Sequence, residues 1–259
     1  MLIICNGMPR SGSTLQYNLV RGVVEKMSIG TGEGFFTPEQ SQKMFNIFLQ
    51  WANDKKFHVI KTQAIPSNIS RLLDTNKTKI CYTYRDLRDV AASFERRFKC
   101  EGKELFETLD NIINEYYTVQ QLNNLISIKY EDMVDNIEEA TRNMAESLYL
   151  SPSQEIINTV AQEFSIKNAK KKIQKFELRY KIEDTLDHIL KKLRISQLVR
   201  VFFKKIGIKY TAPYFDPKTL MHAGHIAPEN STRENYLSQE QIEYITLTYR
   251  DWLAECGYL

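Results

Sequence analysis

Short apolar runs alternate with longer segments of helical period through the first half of the chain. Residues 2–5, 57–60, 79–84 and 125–130 are brief, β-branched or aromatic, and apolar at successive positions. Strands buried on both faces have that pattern, so four parallel strands are predicted there. Between them, residues 13–27, 38–51, 86–98 and 105–124 carry helical spacing. Alternation of this kind implies an α/β fold with a doubly wound parallel sheet. The second half reads as helix and loop, with helical period over 136–148, 153–164 and 238–256 and a proline-containing loop over 210–235. Ser238 with Gln241 three residues on has the form of a capping box. No repeat and no boundary interrupts the pattern, so one domain over residues 1–259 is expected.

Composition narrows the class. Of 259 residues 42% are hydrophobic and 26% charged, which excludes a disordered, collagen-like or coiled-coil chain. Lys plus Arg number 35 against 32 Asp plus Glu, a net charge of +3 that gives no footprint for nucleic acid. The charge is uneven, however. Residues 164–205 hold 13 Lys/Arg and 4 Asp/Glu, so the remainder of the chain is net acidic. Solvated helix faces, attraction of an anionic ligand, an anionic acceptor and a membrane or acidic-partner surface all remain open for that block. No apolar run reaches the ~20 residues of a membrane span. The opening residues lack the basic start of a signal peptide. The four cysteines form no CxxC pair and no metal-ligand spacing. A cytoplasmic protein without a bound metal is the expectation.

In a parallel sheet of this type ligands bind beyond the carboxyl ends of the strands. The first strand is followed by Gly7-Met8-Pro9-Arg10-Ser11-Gly12-Ser13-Thr14 and then a helical pattern. Such a turn aims backbone N–H groups at one point, and the helix dipole adds positive potential there. Arg10 adds charge, and Ser13 and Thr14 add hydroxyls, so a phosphate site is predicted. The spacing is near that of a nucleoside-triphosphate loop, but the lysine required before the last Ser/Thr is replaced by Ser13. The alternative is a solvated strand–helix turn with chance glycines. Arg85 closes another strand and Ser93 follows it by eight residues. An arginine there suits a second phosphate, while a surface arginine beside a helix-starting Asp86 is the plainer reading. Lys61-Thr62-Gln63 and Lys129-Tyr130-Glu131-Asp132-Met133 lie at the remaining two predicted strand ends.

Together these segments resemble the sulfotransferases that use 3′-phosphoadenosine-5′-phosphosulfate (PAPS). Met8 to Thr14 resembles the family's 5′-phosphosulfate loop. Arg85 with Asp89-Val90-Ala91-Ala92-Ser93 resembles its 3′-phosphate motif, and Tyr130-Glu131-Asp132-Met133 its Tyr-Glu-Asp segment. The resemblance runs over roughly residues 3–170. It implies that Arg10 neutralises charge on the bridging oxygen and the sulfuryl group. It gives the 5′-phosphate to Ser11, Gly12, Ser13 and Thr14, the 3′-phosphate to Arg85 and Ser93, and adenine contact to Tyr130. Phe164-Ser165-Ile166 is loosely similar to an adenine-side segment, and His222-Ala223-Gly224-His225-Ile226 to a closing stretch of bacterial members.

Two positions depart from the pattern. Leu15 stands where many members stack an aromatic ring on adenine. Gln63 stands where many carry the histidine base, although Lys61 remains able to contact the sulfuryl group. Glu33, in Gly32-Glu33-Gly34-Phe35-Phe36, is then the candidate base, since members lacking the histidine carry a glutamate shortly before two aromatics. A solvated loop glutamate is the alternative. His58 reads as structural and His188 as solvent-facing. The implied function is sulfuryl transfer from PAPS to a hydroxyl, or an amine, of a small-molecule or glycosidic acceptor. A small-molecule or nucleoside kinase and a non-catalytic binder of adenosine bisphosphate or an anionic glycan are the alternatives.

Overall fold

The structure, a computed structural model, describes residues 1–66, 68–74, 77–174, 216–221 and 231–259. The chain parts into two compact units, residues 1–164 with 228–259, and residues 165–227. The sequence shows no boundary at either place.

The first unit is built on five parallel strands: β1 (Leu2–Gly7), β2 (Gly30–Phe36), β3 (Phe57–Thr62), β4 (Thr78–Tyr84) and β5 (Leu125–Lys129). Their order is β2-β3-β1-β4-β5. The central strand has no exposed face: Leu2, Ile3, Ile4 and Cys5 are all fully buried. That explains why its sequence is apolar at every position rather than alternating.

Register assigns the two faces. Leu2, Ile4, Ile60 and Ile80 pack with Phe45, Phe48 and Ala52 of α3 (Phe45–Asn53). On the other face lies α1 (Ser13–Lys26), whose Leu19, Val20 and Val23 meet Thr141, Met144 and Ala145 of α8 (Ile137–Ser147). Further helices are α2 (Pro38–Lys43), α4 (Ser70–Leu73), α5 (Leu87–Phe98), α6 (Gly102–Gln120), α7 (Tyr130–Asp135) and α9 (Gln154–Phe164). A 3₁₀ turn (Arg233–Asn235) precedes α10 (Gln239–Thr248) and α11 (Arg250–Glu255), with the Ser238–Gln241 capping box formed. The predicted helices over 38–51 and 238–256 each divide in two, at Met44 and at Tyr249.

β2 is the strand that the sequence pattern missed, because three of its seven residues are glycine. A Cβ on Gly32 would stand 2.3 Å from Arg21 Cδ, so the close approach of α1 to this edge strand excludes a side chain there. Glu33 therefore lies in a strand and not a loop, at a register shift between Gly32 and Gly34. In the second unit, residues 166–174 are helical. Asp216 there accepts hydrogen bonds from the Lys218 amide at 3.0 Å and the Thr219 hydroxyl at 2.7 Å.

Candidate functional site

β1 delivers its chain to a turn at the carboxyl edge of the sheet, and β4 shapes that turn. The Met8 amide donates to Thr83 O at 2.9 Å. The Ser11 hydroxyl donates to Met8 O at 2.7 Å and lies 2.8 Å from Thr83 Oγ1. Ser11 is fully buried, and its amide also turns inward, to Met8 O at 3.1 Å. It is a staple beneath the loop. The phosphate contact that the resemblance implies for Ser11 would have to compete with these bonds.

Gly12 stands at the N-cap of α1 with φ of 83°, and no side chain caps the helix start. The first amides of a helix have no acceptor within it. Those of Gly12, Ser13 and Thr14 are thus available where the helix dipole is most positive. The Ser13 and Thr14 side chains are half-buried at the same turn.

Three further elements send groups to this point. Arg10, itself at φ 69°, donates its Nε to the Ser93 hydroxyl of α5 at 2.8 Å. Burial, then the neighbouring Arg97, Arg96 and Arg85, push its pKa down to about 10, so it stays cationic at neutral pH. Arg85 follows β4. Its Nη1 donates to Arg10 O at 3.5 Å and its Nη2 to Asp89 Oδ2 at 3.4 Å. Both contacts are long, and its Nε is buried with no hydrogen-bond partner. A half-buried guanidinium whose Nε is enclosed without a partner is costly alone and fits an anion. Its cation lies 4.4 Å above the ring of Tyr130, the first residue of α7. That ring also closes on the loop, since a Cβ on Gly12 would come within 2.5 Å of Tyr130 Cδ2. Arg10, Gly12, Arg85, Ser93 and Tyr130 are thereby brought together through direct contacts, with Ser13 and Thr14 adjoining them in the first turn of α1.

Asp86 and Asp89 lie between three arginines. Asp86 caps α5 by accepting from the Arg88 amide at 2.9 Å and pairs with Arg88 Nη2 at 2.7 Å. Arg233, far along the chain, reaches Asp86 Oδ2 with Nη1 at 3.2 Å and Asp89 Oδ1 with Nε at 3.0 Å. Sequence reasoning gave Arg233 and Thr83 no role. Nothing in their local spacing marks them, because both act through partners distant in sequence.

Lys61 of β3 pairs in register with Cys5 and so lies on the α1 face, with its Nζ 5.1 Å from the Phe35 ring. Burial pushes its pKa down to about 8. Glu33 is not brought to these groups. Its Oε1 accepts from the Thr31 hydroxyl at 2.6 Å and lies 2.8 Å from His58 Nδ1, while His58 Nε2 lies 2.8 Å from Asp54 Oδ2. His58 stacks on Trp51 of α3, centroids 5.1 Å apart. The Glu33 carboxylate thus belongs to the α3 face, near the amino end of β3, away from Lys61 and the loop. His58 is structural, as its place inside a strand implies.

Phe164 is buried against Gly22 and Arg21, a core position. His188, residues 222–226 and most of the basic block, from residue 175 on, lie outside the described residues. Among the described residues no helix is long and apolar enough to cross a membrane.

No curated protein matches the chain in sequence. Among solved structures, mouse sulfotransferase SULT7A1 complexed with PAP aligns over 97% of this chain and 84% of its own, at 12% identity and a TM-score of 0.57. Retinol dehydratase in a complex with retinol and PAP aligns over 97% and 81%, at 18% identity and a TM-score of 0.51. At these identities the likeness shows a common fold. The family model of the sulfotransferase domain matches residues 2–218, most of the chain, and the protein therefore belongs to the sulfotransferase domain family.

Proposed function

We propose that this protein transfers a sulfuryl group from PAPS to a hydroxyl, or an amine, of a small-molecule or glycosidic acceptor. The observation that carries the reading is the pairing of an uncapped helix start with Arg85, whose buried Nε has no partner, across one loop. Two anion-binding points at one edge of the sheet suit a nucleotide phosphorylated at both 3′ and 5′ positions. PAP bound to the two solved relatives supports the same donor. The fold places no lysine before Thr14, so the kinase reading lacks the side chain it most needs. The four cysteines are buried and unpaired, which supports a reducing, cytoplasmic setting.

In the reaction the acceptor oxygen forms a bond to sulfur as the bond from sulfur to the 5′-phosphate oxygen breaks. The electron pair leaves on that oxygen, and the acceptor proton passes to solvent. The protein's work is positioning and charge stabilisation. The Gly12, Ser13 and Thr14 amides hold the 5′-phosphate, Arg85 and Ser93 the 3′-phosphate, and Tyr130 lies against the nucleoside. Arg10 and Lys61 offset the charge that builds on the leaving oxygen.

A thermal-shift titration with adenosine 3′,5′-bisphosphate, AMP and ATP tests the donor assignment. A ligand selective for the native state raises the melting temperature by mass action. Stabilisation by the bisphosphate well beyond AMP is expected. Stabilisation by ATP alone would overturn the reading in favour of a kinase.

Lys61 makes two predictions. If it acts as a cation, kcat/KM for PAPS falls about tenfold per unit above pH about 8, the pKa that burial gives it. Lys61→Arg should remove that inflection, and an unmoved inflection would take Lys61 out of the chemistry. The same burial costs stability. Its folded pKa of about 8 lies below the ordinary 10.5, so the cost is present in full below pH 8 and is relieved as pH rises from 8 towards 10.5. The full shift would be ~3 kcal/mol, and part of it is screened because Lys61 is not wholly enclosed. Lys61→Met should therefore stabilise the fold at pH 7 by about 1–3 kcal/mol while losing turnover.

Glu33 is assigned to holding His58 rather than to proton transfer. Glu33→Gln should keep turnover within about threefold. A fall of ~10²–10⁴, the usual loss when a general base is removed, would return that role to it.

A further inference from the structure

Asp89 is shared. Its Oδ1 takes Arg233 Nε at 3.0 Å, and its Oδ2 takes Arg85 Nη2 at the longer distance of 3.4 Å. The geometry points to Arg233 as a positioning residue of the 3′-phosphate site, acting on Arg85 through Asp89. This rests on the donor reading above.

The physical argument concerns competition for one guanidinium. Asp89 lies one helical turn beyond Arg85 in sequence, close enough to form a full ion pair with it. A carboxylate fully engaged with Arg85 would take up the donors that a phosphate needs. Arg233 prevents this by holding Asp89 through its other carboxylate oxygen, and its fork is itself fixed by a second carboxylate, Asp86, at 3.2 Å. Asp86 is 4% exposed and already bound to Arg88, so it is a rigid anchor. The outcome is visible in Arg85: two long contacts and a buried, unpartnered Nε. A lysine at 233 would supply the charge, but a compact ammonium lacks the planar fork that spans two carboxylates.

The test measures the affinity of adenosine 3′,5′-bisphosphate and of AMP for wild type, Arg233→Ala, Arg233→Lys and Asp89→Asn. Steady-state kinetics with PAPS accompany the binding data. Arg233→Ala is expected to weaken the bisphosphate about tenfold and to leave AMP within twofold. KM for PAPS should rise about tenfold with kcat within twofold. Arg233→Lys should recover less than half of the loss on a logarithmic scale. Asp89→Asn cannot quench Arg85, so the double variant Arg233→Ala/Asp89→Asn should bind the bisphosphate better than Arg233→Ala alone.

Full recovery by lysine would overturn the inference, because charge alone would then suffice. A double variant no better than Arg233→Ala would also overturn it, since Arg233 would then act on the phosphate directly. If Arg233→Ala unfolds, Arg233→Lys measured against wild type decides the matter: a bisphosphate affinity within twofold of wild type would overturn the inference, and a loss confined to the bisphosphate and reduced by adding Asp89→Asn would support it. Failure of the donor reading looks different, because wild type itself would then not prefer the bisphosphate to AMP.

Discussion

Replacing Arg85 by alanine is expected to lower affinity for adenosine 3′,5′-bisphosphate by ~10²–10³-fold and to leave AMP binding nearly unchanged. Arg85 has its Nε unused and its two other contacts at 3.4 and 3.5 Å, so most of its hydrogen-bonding capacity is available to a ligand. Two charge-assisted bonds to a phosphate, at about 1.5–3 kcal/mol each before desolvation is offset, account for a loss of that size. The variant should fold, since Arg85 contributes no short bond to the protein itself. Isothermal titration of both nucleotides decides the point. An Arg85→Ala protein that still preferred the bisphosphate by the wild-type margin would place the 3′-phosphate elsewhere. Arg85→Lys should recover only part of the affinity, because one ammonium cannot present two parallel donors.

Gly12→Ala should be nearly as damaging, by a different route. A side chain at φ 83° costs ~1 kcal/mol, and the new Cβ would stand 2.5 Å from the Tyr130 ring. The ring must then move, and Arg85 lies 4.4 Å above it. Removing one methyl's worth of space in the loop therefore displaces a residue of the second anion point. A stability loss of about 2–4 kcal/mol is expected, with bisphosphate affinity falling more than tenfold. Chemical denaturation and titration of the single and double variants with Tyr130→Ala separate the two causes. In the double variant the ring clash is gone and only the backbone cost remains, so Gly12→Ala should cost less there than in the wild-type background. Equal costs in both backgrounds would mean that the ring does not constrain the loop.

Much of this architecture is legible in the sequence. Four strands stand out because burial on both faces leaves continuous apolar runs, and the helices stand out by their period. β2 is not legible. It lies at the sheet edge, carries Gly30, Gly32 and Gly34, and is selected by the space under α1 rather than by strand-forming side chains. The phosphate loop can be read because strand, turn and helix start are consecutive. Its partners at Arg85, Ser93 and Tyr130 follow other strand ends, where the parallel sheet collects them. Local motifs do not report orientation, however. Ser11 has the right type and place for a phosphate ligand, yet its hydroxyl is committed to Met8 and Thr83. Glu33 has a base's chemistry, yet its carboxylate is held by Thr31 and His58 on the other face. Arg233 shows the converse case, a residue without a motif that gains its role from Asp86 and Asp89.

The staple under the loop has a consequence for the order of folding. Ser11 and Thr83 are separated by 72 positions, so the turn after β1 cannot take its final shape until β4 has paired. Contacts of such separation form late, because the entropy of closing the intervening chain must be met first. A nascent chain that stopped short of β4 would hold the whole loop sequence and its helix, and still bind nucleotide poorly. Binding of adenosine 3′,5′-bisphosphate during refolding should therefore appear only after β1 and β4 are joined. The ligand would then serve as a clock for the docking of those two strands.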